Sequence, residues 1–429
     1  MSSNLYSRNL DAPVATNAIN ATVELPGSKS LTNRELVLSA LANSPTKLTG
    51  ALVSRDSGLM IAALQQLGAR VEETGSTNPK VHPATLASDA TIDCGLAGTV
   101  MRFVPPVSVL NRGITKFDGD EAARRRPMKT TIESLRALGA VVENEDGALP
   151  FEVRGMGAVP GGEITIDASN SSQFVSGLLL AAPRFETGIT LRHRGEHLPS
   201  MPHIEMTLQC LRERGVSVSA PAPLVWRVEP GEISGGIKAI EPDLSNAGPF
   251  LAAAMVAGGS VTIPGWPAKT TQVGNEFDGI LQQMGAKLSR DERGLTITGN
   301  GEISGVDIDL SIGGELAPVI AGLATLATTP SRIRGIAHLR GHETDRLSAL
   351  ATEINKIGGD CEETEDGLII RPSNKLHGGL WQTYEDHRMA TTGAIIGLRV
   401  PGIEIENIGT TAKTMPNFAQ LWLGMLGQN

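Results

Sequence analysis

Small and polar residues lead repeatedly into apolar stretches at helical spacing. The first such stretch is Leu25–Ala42, LPGSKSLTNRELVLSALA. Pro26-Gly27 makes a tight turn, Ser28-Lys29-Ser30 follows, and Leu31, Leu38 and Leu41 then fall on a helix. Thr32 with Glu35 reads as a capping box. A helix start exposes free N–H groups and the positive end of the dipole. A lysine and two hydroxyls placed there suit a phosphate or a carboxylate, although a capped helix with a surface lysine has the same pattern.

A second pattern alternates with the first. A leucine-rich helix runs into glycine and then a strand, as LQQLGARVEE, LRALGAVVEN, LRERGVSVSA, LQQMGAKLSR and INKIGGDCEE. The glycines, Gly68, Gly139, Gly215, Gly285 and Gly358, are 71, 76, 70 and 73 residues apart. Glycine in this place ends a helix. The later copies continue into hairpin-like phrases, GALPFEVRG, LVWRVEPG, RGLTITGNG and DGLIIRPS. Polar helix starts near Lys29, Gly98, Ser171, Ser245, Glu315 and Arg388 keep the same phase, 69, 73, 74, 70 and 73 residues apart. The chain therefore reads as six βαβαββ units of an α/β fold.

Helices such as FVSGLLLAA, PFLAAAMVAGG and LAPVIAGLATLA are apolar nearly all round and belong in a core. Their polar first turns are expected to converge on a shared surface. Six units divide into three and three. The strand-like ATVEL before Leu25 and the segment KAIEPDL, Lys238–Leu244, set the expected boundaries. Residues 25–243 form a central lobe, and 1–24 with 244–429 form a lobe completed by both chain ends.

At 429 residues the chain exceeds one ordinary core. A net charge of −9 with only 3% aromatic residues argues against a nucleic-acid surface. Any positive site must be local. Cys94, Cys210 and Cys361 are scattered, without CxxC or metal-ligand spacing, which points to a reducing cytoplasm. No apolar run has the length of a membrane span, and no apolar signal core is seen near the N-terminus. No metal site and no cofactor is expected, and a monomer is the default.

The candidate chemistry lies at the helix starts. LAGTVMRF brings Gly98, where backbone N–H groups are accessible to a ligand, and Arg102, an anion ligand or a buried ion-pair member. Arg124-Arg125-Arg126 precede Pro127, which reads as the opening of a helix, and at least one of them is expected to point inward. SNSSQ supplies Ser171, Ser172 and Gln173, and HLPSMPHIE supplies Ser200 and His203. GGELAP places Glu315 at a helix start. RGHETDRL gathers His342, Glu343, Asp345 and Arg346, YEDHRMA gives Asp386, His387 and Arg388, and TTAKTMPNF gives Lys413. Cations beside helix starts in separate segments suggest an anion cradle.

LPGSKSLTNR, LAGTVMR, RRRPM, SNSSQ, HETDRL, EDHRMA and TTAKTMPNF, in this order, closely resemble the 5-enolpyruvylshikimate-3-phosphate synthase family, from about Ala21 to Phe418. The resemblance implies a two-lobed inverse α/β barrel, three repeats per lobe, with an active site in the cleft between lobes; because bulk water would compete for an activated enol phosphate, that cleft is expected to close before chemistry. It implies transfer of the enolpyruvyl group of phosphoenolpyruvate to the 5-hydroxyl of shikimate 3-phosphate, through a tetrahedral intermediate and without a cofactor. Lys29, Ser30, Arg34, Ser171, Ser172, Gln173, Ser200, Glu315 and His342 would bind shikimate 3-phosphate. Lys29, Gly98, Arg126, Gln173, Arg346, Arg388 and Lys413 would bind phosphoenolpyruvate. Glu315 would be the base and Glu343 the acid, with Lys29 assisting.

Three motifs depart from the form many relatives have: LAGTVMRF at Leu96 and Phe103, GGELAP with Glu315 where aspartate is common, and HETDRL with His342 where lysine is common. They bear on tuning and on inhibitor sensitivity. The rival with the same fold is a UDP-N-acetylglucosamine enolpyruvyl transferase, which would need a loop acid; Cys94 reads instead as a small buried residue. A non-catalytic phosphate sensor would have no need of Glu315 and Glu343 among the cations.

Overall fold

All five glycines that close the leucine-rich helices have left-handed backbones, with φ of 95°, 94°, 83°, 109° and 82° at Gly68, Gly139, Gly215, Gly285 and Gly358. A side chain there would crowd the backbone, so glycine is what lets each helix turn directly into its strand. The computed structural model describes residues 9–144, 146–195 and 198–428. The chain divides into two compact units, Gly27–Ile240 and the combination of Met1–Pro26 with Glu241–Asn429.

The unit Gly27–Ile240 holds three four-stranded sheets with one plan. In chain order of pairing they are Ala90–Asp93, Ile114–Asp118, Phe151–Arg154 and Val141–Glu143; then Gly162–Ile166, Ile189–His193, Val225–Val228 and Val218–Ala222; then Gly236–Ala239, Thr46–Thr49, Lys80–His82 and Arg70–Glu72. The first pair in each sheet is parallel and the other two pairs are antiparallel. Parallel neighbours need a crossover. Gly98–Ser108 and Gln173–Ala181 provide two of them. In the third sheet, Gly236–Ala239 returns from the far end of the unit to pair with Thr46–Thr49. The helices Lys29–Ala40, Gly98–Ser108 and Gln173–Ala181 pack against one another and are buried almost throughout.

The other unit repeats the plan with one change. Ile19–Thr22 lies parallel to Gly259–Ile263, followed by Gly294–Gly299 and Lys287–Asp291. Asp307–Asp309, Ser331–Arg334, Leu368–Arg371 and Asp360–Glu363 form the next sheet. The last sheet has three strands: Gly379–Trp381 is parallel to Ile403–Ile405, and Leu10–Asp11 pairs antiparallel on its outer side. The sixth repeat thus lacks the hairpin of the other five among the described residues. A 3-10 turn, Ile408–Lys413, and a helix, Phe418–Met425, follow it instead. Leu244–Ala257, Ala317–Thr325 and His387–Gly397 are the central helices, again mutually packed.

Two local expectations are corrected. Thr32 and Glu35 form no capping box, because the helix starts at Lys29 and Ser28 is its cap, accepting from Leu31 N–H at 3.4 Å. Thr32 instead accepts from Leu52 N–H at 3.0 Å, and Glu35 makes a buried pair with Arg214 at 2.6 Å. The helix after the arginine run opens at Lys129, two residues beyond Pro127.

Candidate active site

In the unit Gly27–Ile240, the starts of the central helices meet. Asn33 Nδ2, one turn into the first, donates to Thr99 Oγ1 at the start of the second at 2.7 Å. Gly98 opens the second, and Gln173 opens the third. A methyl group placed on Gly98 would lie 3.1 Å from Gln173 Oε1 and 3.2 Å from both terminal nitrogens of Arg126. Gly98, Gln173 and Arg126 therefore line one small space, kept open by the missing side chain. Arg126 donates to the Leu96 carbonyl at 3.3 Å, while its buried Nε has no hydrogen-bond partner. The other two arginines face outward: Arg124 pairs with Asp118 at 2.7 Å and Arg125 with Glu121 at 3.4 Å. Arg102 is buried, donates to the Pro127 carbonyl at 3.2 Å and sits 5.7 Å from the Phe174 ring.

Lys29 starts its helix, with Nζ 3.7 Å from the buried Asp56 carboxylate. Ser171 Oγ accepts from Gln173 N–H at 3.2 Å, so this serine caps, while Ser172 is buried beside it. Ser200 is left-handed, φ 55°, at the start of Met201–Glu213. Arg34, expected among the ligands of shikimate 3-phosphate, is 1% exposed. Its guanidinium donates to Thr207 Oγ1 at 2.8 Å, the Ser30 carbonyl at 2.9 Å, the His203 carbonyl at 2.8 Å and Ser176 Oγ at 3.3 Å. It lies 5.2 Å from the Phe103 ring. Arg34 thus ties the turns bearing Ser30 and Ser200 to the helix behind Ser172 and Gln173.

In the other unit, three helix starts converge on Glu315. Ser245, second residue of Leu244–Ala257, donates to Glu315 Oε1 at 2.6 Å. Glu315 lies in the turn leading into Ala317–Thr325, and Arg388, second in His387–Gly397, is 3.9 Å away. The Glu315 carboxylate thus reaches across to the starts of both neighbouring helices. Glu343 is held by Arg346 at 3.0 Å and by Lys413 Nζ. Asp386 takes two bonds from Arg346, at 2.7 and 3.2 Å, and one from Arg388 N–H at 2.8 Å. Arg346 is 2% exposed and Asp386 fully buried. Burial opposes the Arg346 charge, but Asp386 and Glu343 outweigh it and hold the guanidinium above its ordinary value. His342, one-third exposed, has Nδ1 3.4 Å from Arg346. Asp386 and Ser245 are the two members that sequence reasoning gave no role; the signal was their place, one at the cap of a polar helix start and one in phase with the repeat.

Cys94 is fully buried, and burial, helped by Asp93, pushes its thiol up to about 12, which leaves it no acid–base role near neutrality. Among the described residues, no group of three or more His, Cys, Asp and Glu side chains is placed to hold a metal, and no helix is long and apolar enough to cross a membrane.

Cations at helix starts with carboxylates set among them are the equipment of a group-transfer enzyme that handles anionic substrates. The comparisons narrow that class. The family model described as EPSP synthase (3-phosphoshikimate 1-carboxyvinyltransferase) matches residues 14–422. A 3-phosphoshikimate 1-carboxyvinyltransferase of Kocuria rhizophila is 55% identical over 420 residues, spanning 95% of this chain and 94% of the relative. A solved structure of EPSP synthase from Acinetobacter baumannii, 25% identical, superposes with a TM-score of 0.80 over 97% of both chains. A second structure of that enzyme gives 0.77, at 25% identity, over 95% and 96%. The chain belongs to the EPSP synthase family.

Proposed function

We propose that this chain transfers the enolpyruvyl group of phosphoenolpyruvate to the 5-hydroxyl of shikimate 3-phosphate, a step in aromatic amino acid biosynthesis. Family membership supports the reaction. The observation that carries the assignment of chemistry is the setting of Glu315 and Glu343, two carboxylates each held against cations and helix starts. A sensor of anions gains nothing from carboxylates that compete with its ligand.

Addition of a proton to the methylene carbon of phosphoenolpyruvate leaves positive charge at C2. The 5-hydroxyl oxygen attacks there and loses its proton, giving a tetrahedral ketal phosphate. Loss of phosphate and of a methyl proton restores the double bond and yields 5-enolpyruvylshikimate 3-phosphate. Glu315 takes the hydroxyl proton, with Ser245 fixing its direction. Glu343 delivers the proton to carbon, with Lys29 assisting. Before substrate arrives, Glu343 occupies Lys413 and Arg346. The carboxylate and phosphate of phosphoenolpyruvate compete for those cations, and Glu343, so displaced, is free to carry a proton.

Arg346, Arg388, Lys413, Arg126, Gly98, Gln173 and Lys29 bind phosphoenolpyruvate. Lys29, Ser30, Ser171, Ser172, Gln173, Ser200, Glu315 and His342 bind shikimate 3-phosphate. Arg34, bonded to the Ser30 carbonyl and the Ser176 hydroxyl, ties the start of Lys29–Ala40 to the first turn of Gln173–Ala181. The reading extends to a cytoplasmic monomer whose partners are its small-molecule substrates, without nucleic acid or membrane; its three free, buried cysteines suit a reducing compartment.

Phosphate release with both substrates tests the proposal. Lys29→Met and Glu315→Gln are each expected to lower kcat by about 10²–10⁴-fold. Wild-type protein that binds either anion but releases no phosphate would sink it.

A further inference from the structure

Two residues that touch no substrate in the reading above hold the end of the cradle from which Arg346 and Arg388 act. Both arginines hang on Asp386, Arg346 through its side chain and Arg388 through its backbone N–H. Asp386 in turn sits at the end of a tight turn, its N–H bonded to the Thr383 carbonyl at 2.8 Å. The two residues inside that turn, Tyr384 and Glu385, are both left-handed, with φ of 54° and 57°. Consecutive non-glycine residues seldom adopt this conformation, and it persists only where the surroundings enforce it.

The enforcement comes from Glu353, which lies on the same helix as Arg346, Arg346–Lys356, and has a fully buried side chain. Its Oε1 accepts from the Tyr384 hydroxyl at 2.8 Å, and its Oε2 accepts from Gln382 N–H at 2.9 Å and from Lys356 at 3.1 Å. Glu406 Oε2 takes the intervening Thr383 N–H at 3.2 Å. One helix thus carries the arginine at its start and, two turns on, the carboxylate that clamps the turn bearing the partner of that arginine. Burial, then Glu353, push the Tyr384 phenol up to about 12, so it remains a donor throughout any ordinary assay range.

We propose that Glu353 and Tyr384 are a positioning pair for phosphoenolpyruvate binding: they hold the strained Tyr384–Glu385 turn, and through Asp386 they set where Arg346 and Arg388 meet the ligand. The inference rests on the reading of those arginines as phosphoenolpyruvate ligands.

The test is steady-state kinetics of the full chain, with phosphoenolpyruvate and shikimate 3-phosphate varied in turn. Tyr384→Phe removes one hydroxyl and keeps the ring. Its KM for phosphoenolpyruvate is expected to rise about tenfold, while kcat and the KM for shikimate 3-phosphate stay within about threefold. Glu385 is exposed, and Glu385→Gly relaxes the left-handed backbone without touching the pair. The double variant Tyr384→Phe/Glu385→Gly is expected to recover most of the lost affinity. Turnover in the wild type with an unchanged KM in Tyr384→Phe overturns this inference alone. Equal losses for both substrates, accompanied by a lower Tm and unrelieved by Glu385→Gly, mark general damage and overturn it as well. A wild type that does not turn over overturns the reading of the site, and this inference with it.

Discussion

Gly98 shows how little room separates a ligand site from a filled one. The methyl of Gly98→Ala would meet the tips of Gln173 and Arg126 at 3.1–3.2 Å, both ends of flexible side chains. They can retreat by a few tenths of an ångström, so the fold tolerates the change, but the space they line shrinks. Gly98→Ala is expected to raise the KM for phosphoenolpyruvate about tenfold with little change in Tm, measured by coupled phosphate assay and thermal melting. At this scale the sequence was informative wherever residue type and position coincided: glycine at a helix start, or arginine next to proline beside that start. It was uninformative about direction. Place next to Pro127 and the family resemblance single out Arg126, but that Arg124 and Arg125 turn away is seen only where Asp118 and Glu121 claim them. Nor does LTNRELVL reveal that Arg34 turns inward to the Thr207 hydroxyl and two carbonyls, because those partners lie up to 173 residues away.

At the scale of the element, the glycine that ends each long helix separates two costs. Gly215 has φ of 83° and nothing within 4 Å of an added methyl, so Gly215→Ala meets backbone strain alone and is expected to cost about 1 kcal/mol. At Gly358 the added methyl would also lie 2.2 Å from the Lys375 carbonyl oxygen. Gly358→Ala is expected to cost clearly more, about 2–4 kcal/mol, and urea titration of the two variants checks the order. The repeat was readable because each unit must solve the same local problem, a helix turning into a hairpin. The three-stranded sheet near Trp381 was not, since its outer strand, Leu10–Asp11, is supplied from almost 400 residues earlier in the chain.

Across the whole molecule, burial of acidic groups sets an alkaline limit. Burial, aided by nearby carboxylates, pushes the Cys94 and Cys361 thiols up to about 12, and Cys210 lies well above its ordinary value too. Tyr384 moves in the same direction. In the unfolded chain a thiol ionises near 9 and in the folded protein it does not, so unfolding releases protons above that pH. The stability these groups contribute is complete below about pH 9 and is lost as pH rises toward 12. Each such thiol is expected to steepen the loss by about 1.4 kcal/mol per pH unit in that window. Urea midpoints between pH 8 and 11 check this; Cys94→Ala should flatten the slope, and an unchanged slope would refute the assignment.

The strands Leu10–Asp11 and Ile19–Thr22 have a consequence for biosynthesis. Their partners, Ile403–Ile405 and Gly259–Ile263, leave the ribosome hundreds of residues later. At about 5–20 residues per second, the earliest strand waits roughly 20–80 s for its neighbour. Over that interval the stretch from Gly27 to Ile240 acquires its own closing strand, Gly236–Ala239, and can complete its sheets. The leading segment meanwhile trails as an unpaired strand. Nascent chains arrested when Gly236–Ala239 has cleared the ribosome but Gly259–Ile263 has not are therefore expected to protect residues 27–240 from protease while residues 9–24 remain cleavable.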